Sequence, residues 1–222
     1  MLIAQGRVTV DGAPASTGDR IDATTAVVRI DGVILPLSPD LTTWLIYKPA
    51  GIVTTMEDPQ GRPTVTSLVP ADPITRPVGR LDLHSEGLML MTNDGDLALV
   101  VTHPRYQVPK TYQVLVPRRV TDSALAPLTA GVDLDDGPAR AASARVVTSS
   151  ADRTIVELVL TEGRKREIRR MFQVIDLPIE RLVRTAIGPI ADRSIAPGDH
   201  RKLTDAEIRS LYRYAKDVEI HD

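Results

Sequence analysis

The amino-acid sequence predicts an α+β fold with a mixed, largely antiparallel central sheet and flanking helices. Strand-like segments outnumber helical ones, and they lack the regular strand–helix alternation that builds a parallel sheet. Two Asp-Gly pairs, at 11–12 and 31–32, interrupt β-rich runs near the N-terminus. Asp-Gly in that setting is a hairpin signal because glycine accepts a positive φ. The 222 residues suffice for one large domain and a small appendage.

The appendage is predicted to be a small β-rich unit spanning residues 1–38. Segments 7–10 and 26–30 resemble strands, and each runs into one of the Asp-Gly pairs. Pro39 ends this pattern because a proline disfavours helical backbone in the residue before it. We therefore place a domain boundary here, followed by a second domain over residues 40–222.

The second domain contains most of the predicted strands. Apolar runs and period-two alternation predict half-buried or buried strands, at 44–47, 87–92, 111–116, 141–147 and 154–160. A short helix is predicted over 96–102, between Asn93-Asp94-Gly95 and His103-Pro104.

A further helix is predicted to begin after Thr204. Thr204 and Glu207 have the spacing of a capping box, in which each side chain bonds the backbone amide of the other. Leu203 and Ile208 occupy the positions of a hydrophobic staple.

The composition excludes several classes of protein. A hydrophobic content of 42% is too high for a fully disordered chain, and no segment approaches the roughly 20 apolar residues that span a bilayer. The chain has no cysteine, which rules out disulfides, cysteine-based zinc sites and thiol nucleophiles. The lack of cysteine and of a recognisable targeting segment predicts a cytoplasmic protein. Because the net charge is only −2, a polyanion would need a local basic patch.

The densest basic patch lies in segment 162–170. The residues that follow predict a helix with one apolar face, formed by Ile168, Met171, Phe172 and Ile175. Gly163 is placed at the turn from strand to helix, where first-turn amides suit a phosphate. The basic residues could bind RNA or simply form a solvated helix face, and the spacing leaves both interpretations open.

A second candidate site surrounds Asp82. This aspartate lies between two short apolar runs, at the predicted end of a strand. An aspartate there can act as a nucleophile or base, or can serve as a turn residue. Asp82 and Glu86 could also form a carboxylate pair for glycosidic chemistry. The spacing of Asp82 and Glu86 does not distinguish a nucleophile or base, a turn residue and a carboxylate pair.

Two other segments combine basic residues with strands or turns. Lys110 and Tyr112 lie on one face of a predicted strand, where tyrosine could stack on a base and lysine could contact phosphate. Core packing explains Tyr112 equally well. Lys48 begins a rigid Lys-Pro-Ala-Gly turn after a strand.

Taken in order, these segments resemble the RsuA/RluB group of bacterial ribosomal RNA pseudouridine synthases. The resemblance covers roughly residues 43 to 190 and rests on segments 48–51, 79–82, 85–95, 102–104, 110–112 and 162–172. Residues 1–37 resemble only the later part of an S4-type RNA-binding domain, without its first helices. The resemblance implies an α+β catalytic domain crossed by an RNA-binding cleft.

The resemblance also implies roles for individual residues. Asp82 matches the essential catalytic aspartate, Tyr112 matches the tyrosine that packs against the target base, and Arg169 matches the basic residue that pairs with the aspartate. Arg80 matches the position that fills the space left by the flipped base. Basic residues expected to contact RNA phosphates are Lys48, Lys110, Arg164, Lys165 and Arg166.

The implied reaction breaks the bond between ribose C1′ and uracil N1, rotates the base and rejoins it through C5. Reactant and product contain the same atoms, so no cofactor, metal or group donor is expected. Asp82 must be ionised either to attack C1′ or to take a proton from C2′, and a bidentate pair with Arg169 would keep it so. The expected partner is ribosomal RNA or a pre-ribosomal particle. The protein is expected to be a monomer and not to bind a membrane.

Large-subunit (23S) ribosomal RNA is the expected substrate, with small-subunit RNA as an alternative because both branches share these motifs. A non-catalytic RNA-binding assembly factor is a second hypothesis, although such a relative would be expected to lose one of the site residues. A glycoside hydrolase is a third. Sugar clefts are usually rich in aromatic platforms, and this chain has one Trp, one Phe and five Tyr.

Overall fold

A computed structural model describes residues 2–22, 25–34 and 41–219. The N-terminal residues form a four-stranded antiparallel sheet in the order β2-β1-β3-β4, with strands β1 (Val8–Val10), β2 (Ala13–Pro14), β3 (Val28–Ile30) and β4 (Val33–Ile34). Both predicted hairpins are confirmed, since Asp11-Gly12 and Asp31-Gly32 form their turns with positive φ at all four residues. The predicted boundary at Pro39 lies outside the described residues.

The remaining elements form the larger part of the molecule. In chain order they are β5 (Thr43–Lys48), β6 (Arg76–Val78), β7 (Glu86–Thr92), α1 (Gly95–Thr102), β8 (Lys110–Val116), α2 (Asp122–Ala130), β9 (Val132–Leu134), β10 (Gly137–Ala139), β11 (Ser143–Ser149), β12 (Thr154–Leu160), α3 (Glu167–Val174), β13 (Arg181–Ile187), β14 (Ile190–Ala191), β15 (His200–Lys202) and α4 (Asp205–Glu219). Short 3-10 turns occur at Val65–Leu68 and Pro104–Tyr106.

The central sheet confirms the predicted fold class. Its strand order is β11-β12-β8-β13-β7-β5-β15, with β6 added to β7 and β14 added to β13. Among the described strands of this sheet, β7 and β13 form the one parallel pair, and the other pairs are antiparallel. This parallel pair joins two halves of the sheet, one built from β5, β6, β7 and β15 and the other from β8, β11, β12 and β13.

Helices and a long loop cover the sheet on both faces. On one face, α2 and α3 pack on the second half, where Leu158 and Phe172 are buried, while segment 52–69 packs on the first half around Met89. Residues directly opposite on neighbouring strands share a face, so the strand register puts both of these packed regions on the same side. α1 and α4 cover the opposite face around Leu90.

The start of α4 agrees with its predicted capping box. The Thr204 amide donates to the Glu207 carboxylate at 2.8 Å, and the Glu207 amide donates to the Thr204 hydroxyl at 3.3 Å. Leu203 is buried with the adjoining Ile208 in one apolar cluster, as a hydrophobic staple requires. Among the described helices, none combines the length and the hydropathy needed to cross a membrane.

Candidate active site

A row of four paired residues crosses the join between the two halves of the sheet. Lys48 on β5 pairs with Gly87 on β7, Gly87 pairs with Arg184 on β13, and Arg184 pairs with Tyr112 on β8. These residues therefore share one face, between the part covered by segment 52–69 and the part covered by α2 and α3. We call them the central row.

Asp82 belongs to the loop at 79–85 that links β6 to β7. Its backbone is fixed on several sides: the Thr54 hydroxyl donates to the Leu81 carbonyl at 2.7 Å and accepts from the Leu81 amide at 3.3 Å. The Gly51 amide donates to the Leu83 carbonyl at 2.8 Å. The half-buried Asp82 carboxylate itself forms no hydrogen bond or ion pair with the described residues. The loop is thus held by its main chain, and the carboxylate is left available to a ligand.

Lys48 is completely buried in the described part of the molecule, which is rare for a lysine. Its ammonium donates to the carbonyl oxygens of Ser85 at 2.8 Å, Pro49 at 3.0 Å and Leu83 at 3.5 Å. Burial lowers the pKa of Lys48 to about 8, while the carboxylates of Glu86 and Asp82 oppose that shift. This placement contradicts the prediction that Lys48 contacts RNA phosphates. The side chain instead fixes the loop that carries Asp82.

Arg169 on α3 reaches the same loop from the other side. Its Nη2 donates to the His84 carbonyl at 3.4 Å. Burial and the like charge of Arg166 lower the pKa of Arg169, and the nearby Asp82 carboxylate opposes them. The expected bidentate pair between Arg169 and Asp82 is not formed: Nη2 meets the loop backbone two residues beyond the aspartate, and the buried Nε has no partner among the described residues.

Tyr112 and Lys110 share a face of β8, as predicted. Tyr112 is buried in the same apolar cluster as Leu81, the residue before Asp82. Lys110 is half-buried, and burial together with the charge of Arg184 lowers its pKa to about 8. Both side chains therefore lie at the central row, with Tyr112 forming part of it.

Arg184 is a site residue that the sequence reasoning missed. It is only 5% exposed, its Nε donates to the Leu88 carbonyl at 2.6 Å, and its Nη2 has no hydrogen-bond partner among the described residues. The one sequence signal was a charged residue within the strand-like apolar run 181–187. Thr54 was also missed, because nothing in its local sequence indicates that it bonds the loop before Asp82.

Glu86 does not form the carboxylate pair considered for glycosidic chemistry. Its two oxygens accept from Arg181 Nε at 2.9 Å and Nη2 at 2.7 Å in a bidentate pair. Arg181 lowers the pKa of Glu86, so this carboxyl stays ionised and cannot serve as a general acid at neutral pH. The pair instead ties the start of β7 to the start of β13.

The basic cluster is divided by the turn before α3. The helix begins at Glu167 rather than near Gly163, because Arg166 adopts a left-handed conformation with φ of 52°. Arg164 lies before the helix and donates to the Glu162 carboxylate at 3.0 Å and to the carbonyls of Gly137 and Pro138 at 3.1 and 2.6 Å. Arg164 is therefore engaged within the protein, and its contact with an RNA phosphate stays a prediction.

Glu167 and Arg170 also support the structure around the turn. The buried Glu167 carboxylate accepts from the Arg164 amide at 2.9 Å, and its burial raises the pKa of Glu167 to about 7. Arg170 forms a bidentate pair with Asp136 at 2.8 and 3.0 Å. Of the basic run, Lys165 and Arg166 remain exposed. Arg80, on the loop before Asp82, is exposed as well.

Comparison with known proteins agrees with this fold and identifies the family. Residues 42–174 match the family model described as RNA pseudouridylate synthase. The chain is 42% identical over 217 residues to an uncharacterized RNA pseudouridine synthase of Mycobacterium leprae, covering 96% of this chain and 85% of that protein. It is 37% identical over 196 residues to ribosomal large subunit pseudouridine synthase B of Yersinia pestis, covering 85% of this chain and 62% of that protein.

A crystal structure described as a pseudouridylate synthase matches the whole fold. The TM-score is 0.69 at 26% sequence identity, covering 95% of this chain and 90% of that chain. The class that the fold and the site define is therefore an RNA-modifying isomerase. The chain belongs to the RNA pseudouridylate synthase family, as the resemblance of its motifs predicts.

Proposed function

We propose that this protein converts a specific uridine of large-subunit ribosomal RNA to pseudouridine, with Asp82 as the essential carboxylate. The observation that carries the proposal is the Asp82 loop. Its backbone is bonded by Thr54, Gly51 and Lys48, yet its carboxylate forms no bond with the described residues. A purely structural aspartate would be expected to cap or bridge something.

Two cationic side chains lie near the Asp82 carboxylate. Lys48 and Arg169 both interact electrostatically with it, and opposite charges at short range attract each other. Asp82 would then attack ribose C1′ or take the proton from C2′. We expect Arg169 to exchange its bond to the His84 carbonyl for the Asp82 carboxylate when RNA fills the cleft.

Tyr112 and Arg80 would hold the uridine out of its stack. Extruding a base costs a few kcal/mol, and an aromatic contact returns about 1–3 kcal/mol. Tyr112 lies in the central row with its apolar neighbours fixed, while the exposed Arg80 is two residues before Asp82 and free to enter the vacated space. Lys110, Lys165 and Arg166 would contact phosphates.

The substrate assignment is supported by named relatives. Proteins called ribosomal large subunit pseudouridine synthase B in Yersinia pestis and Salmonella typhi are 37% and 38% identical to this chain. We extend their substrate class to this protein. We also propose that residues 1–38, as a partial S4-like domain, add a second RNA contact to a catalytic domain spanning 40–222.

Pseudouridine mapping by carbodiimide modification and primer extension tests the proposal. Unmodified large-subunit ribosomal RNA is incubated with wild type, with Asp82→Asn, or with Asp199→Asn, an exposed aspartate outside the site. We expect one new stop with wild type and Asp199→Asn, and none with Asp82→Asn. Folding should be unchanged, because the Asp82 side chain forms no bond that asparagine would lose.

Two results would overturn the proposal. A stop that persists with Asp82→Asn would remove Asp82 from the chemistry. A wild-type protein that binds RNA but modifies neither naked RNA nor isolated particles would favour the non-catalytic assembly factor. A parallel incubation uses unmodified small-subunit ribosomal RNA, and a new stop in that RNA alone would correct the substrate class.

A further inference from the structure

An open groove of about 470 Å³ lies beside α3, next to the Asp82 loop. Its lining combines positive charge with an apolar wall: three arginines, Arg118, Arg166 and Arg169, and the segment Leu177, Pro178 and Ile179. Arg169 also donates to the His84 carbonyl at 3.4 Å, so the groove and the loop that carries Asp82 share this arginine.

Two of these arginines have fixed backbones. The Thr154 hydroxyl donates to the Arg118 carbonyl at 2.9 Å and accepts from the Val120 amide at 2.9 Å, which locks the turn after β8. Arg166 is held with φ of 52°, a conformation that is uncommon outside glycine. Both side chains therefore leave the backbone at fixed points beside the groove.

The positive charges in the groove are poorly balanced. Arg166 acts on Arg169 as a like charge. Asp176 is the one acidic residue in the lining; it is fully exposed and forms an ion pair with Arg118 at 3.7 Å. Such an exposed pair contributes little, so Arg118 can exchange Asp176 for another anion. A bound phosphate would relieve the repulsion between Arg166 and Arg169.

We infer that this groove binds the nucleotide next to the target uridine on the same RNA strand, which rests on the proposed function. Phosphodiester oxygens would meet Arg118 and Arg166, since planar guanidinium groups suit phosphate. The base would lie on the wall of Leu177, Pro178 and Ile179. Unpaired nucleotides are recognised by this combination of phosphate contact and an apolar or stacking surface.

Arg118→Gln tests the groove, and Arg119→Gln is its matched control. Arg119 is the adjacent residue, equally exposed, and does not line the groove. The probe is an unmodified transcript of large-subunit ribosomal RNA. For turnover, we expect Arg118→Gln to raise KM about fivefold with kcat unchanged, because one surface charge contact amounts to about 1 kcal/mol.

For binding, each variant is combined with Asp82→Asn, and affinity is measured against salt concentration. One phosphate contact to single-stranded RNA accounts for a slope of about 0.7 in log K against log salt. We expect Arg118→Gln to lose that amount and Arg119→Gln to lose none. Equal effects from both variants, or no effect from Arg118→Gln, would overturn the groove assignment. If wild type makes no pseudouridine, the proposed function is wrong. The comparison of Arg118→Gln with Arg119→Gln in RNA binding still shows whether the groove binds a nucleotide.

Discussion

Lys48 shows how a buried charge can serve the backbone of its own protein. A fully buried ammonium is costly unless all its donors are satisfied, and here three carbonyl oxygens of the neighbouring loops accept from it. Two of the three belong to the segment around Asp82. The buried ammonium of Lys48 therefore helps to hold the backbone of the loop that carries the Asp82 carboxylate.

Replacing Lys48 with methionine separates this role from RNA binding. Lys48→Met keeps the length of the side chain but leaves the carbonyls unsatisfied, so we expect a loss of about 1–3 kcal/mol in the free energy of unfolding. The rate of pseudouridine formation should also fall, because the loop that carries Asp82 loses the bonds that hold it. The salt slope of RNA binding should not change, as measured by affinity at several salt concentrations.

Lys165→Met is the control for that experiment. Lys165 is exposed, so its replacement should flatten the salt slope without affecting unfolding. A flattened slope for Lys48→Met would restore the phosphate role that its burial contradicts.

The sequence predicted the roles of individual side chains only in part. The pairing of Lys110 and Tyr112 on one face follows from period two, and the register confirms it. The division of the basic run did not follow from spacing, because it depends on Gly137, Pro138 and Asp136 of a distant hairpin. Whether a charged residue meets solvent or a carbonyl is a tertiary property.

At the scale of elements, the close approach of β7 and β13 organises the site. Their backbones meet at Gly87, where an added Cβ would lie 2.1 Å from the Arg184 carbonyl oxygen. Gly87 also has φ of 108°, which other residues rarely adopt. Glycine is therefore required in the central row for both space and conformation.

Gly87→Ala should accordingly be among the most damaging single substitutions. The clash is with backbone on a neighbouring strand, so we expect a loss of more than about 3 kcal/mol in the free energy of unfolding, or failure to fold. Urea denaturation checks this. Gly95→Ala is the control, because Gly95 has ordinary φ and nothing within 4 Å of an added Cβ. It should be neutral or slightly stabilising, and equal losses from the two variants would refute the argument.

The sequence predicted elements with a clear local pattern better than elements without one, and it missed the seven-residue β13. Strands such as 154–160 and the capped α4 were anticipated because their periodicity and caps are local. α2 was not anticipated, since Pro127 within it argues against a helix. The hairpin of β9 and β10 was missed too, because strands of three residues carry too little pattern.

For the whole molecule, the N-terminal sheet stands apart from the packed core. None of the buried clusters among the described residues draws on segment 2–34. Its contacts with the rest include Arg213 near the Thr25 carbonyl at 3.4 Å and near Asp11 at 3.9 Å. Exposed contacts of this kind contribute little to stability.

Deleting residues 1–40 should therefore leave the cooperative unfolding of the remainder intact. We expect Tm to shift by no more than a few degrees, since no buried apolar cluster is lost. If the N-terminal sheet adds an RNA contact, KM for ribosomal RNA should rise while kcat stays the same. Thermal unfolding and steady-state kinetics measure the two effects, and a large fall in Tm would show that the unit is part of the core.

The join between β7 and β13 also bears on the order in which the chain folds. Glu86 and Val183 pair across it although almost half the chain separates them, and contacts between distant residues form only after a large loop has closed. The strands β5, β6 and β7 follow one another along the chain, as do β8, β11 and β12, so each group can assemble before that closure. The central row takes Lys48 and Gly87 from one half and Arg184 and Tyr112 from the other. A newly made chain therefore completes the central row, and with it the site that modifies a uridine, only once this long-range pairing has formed.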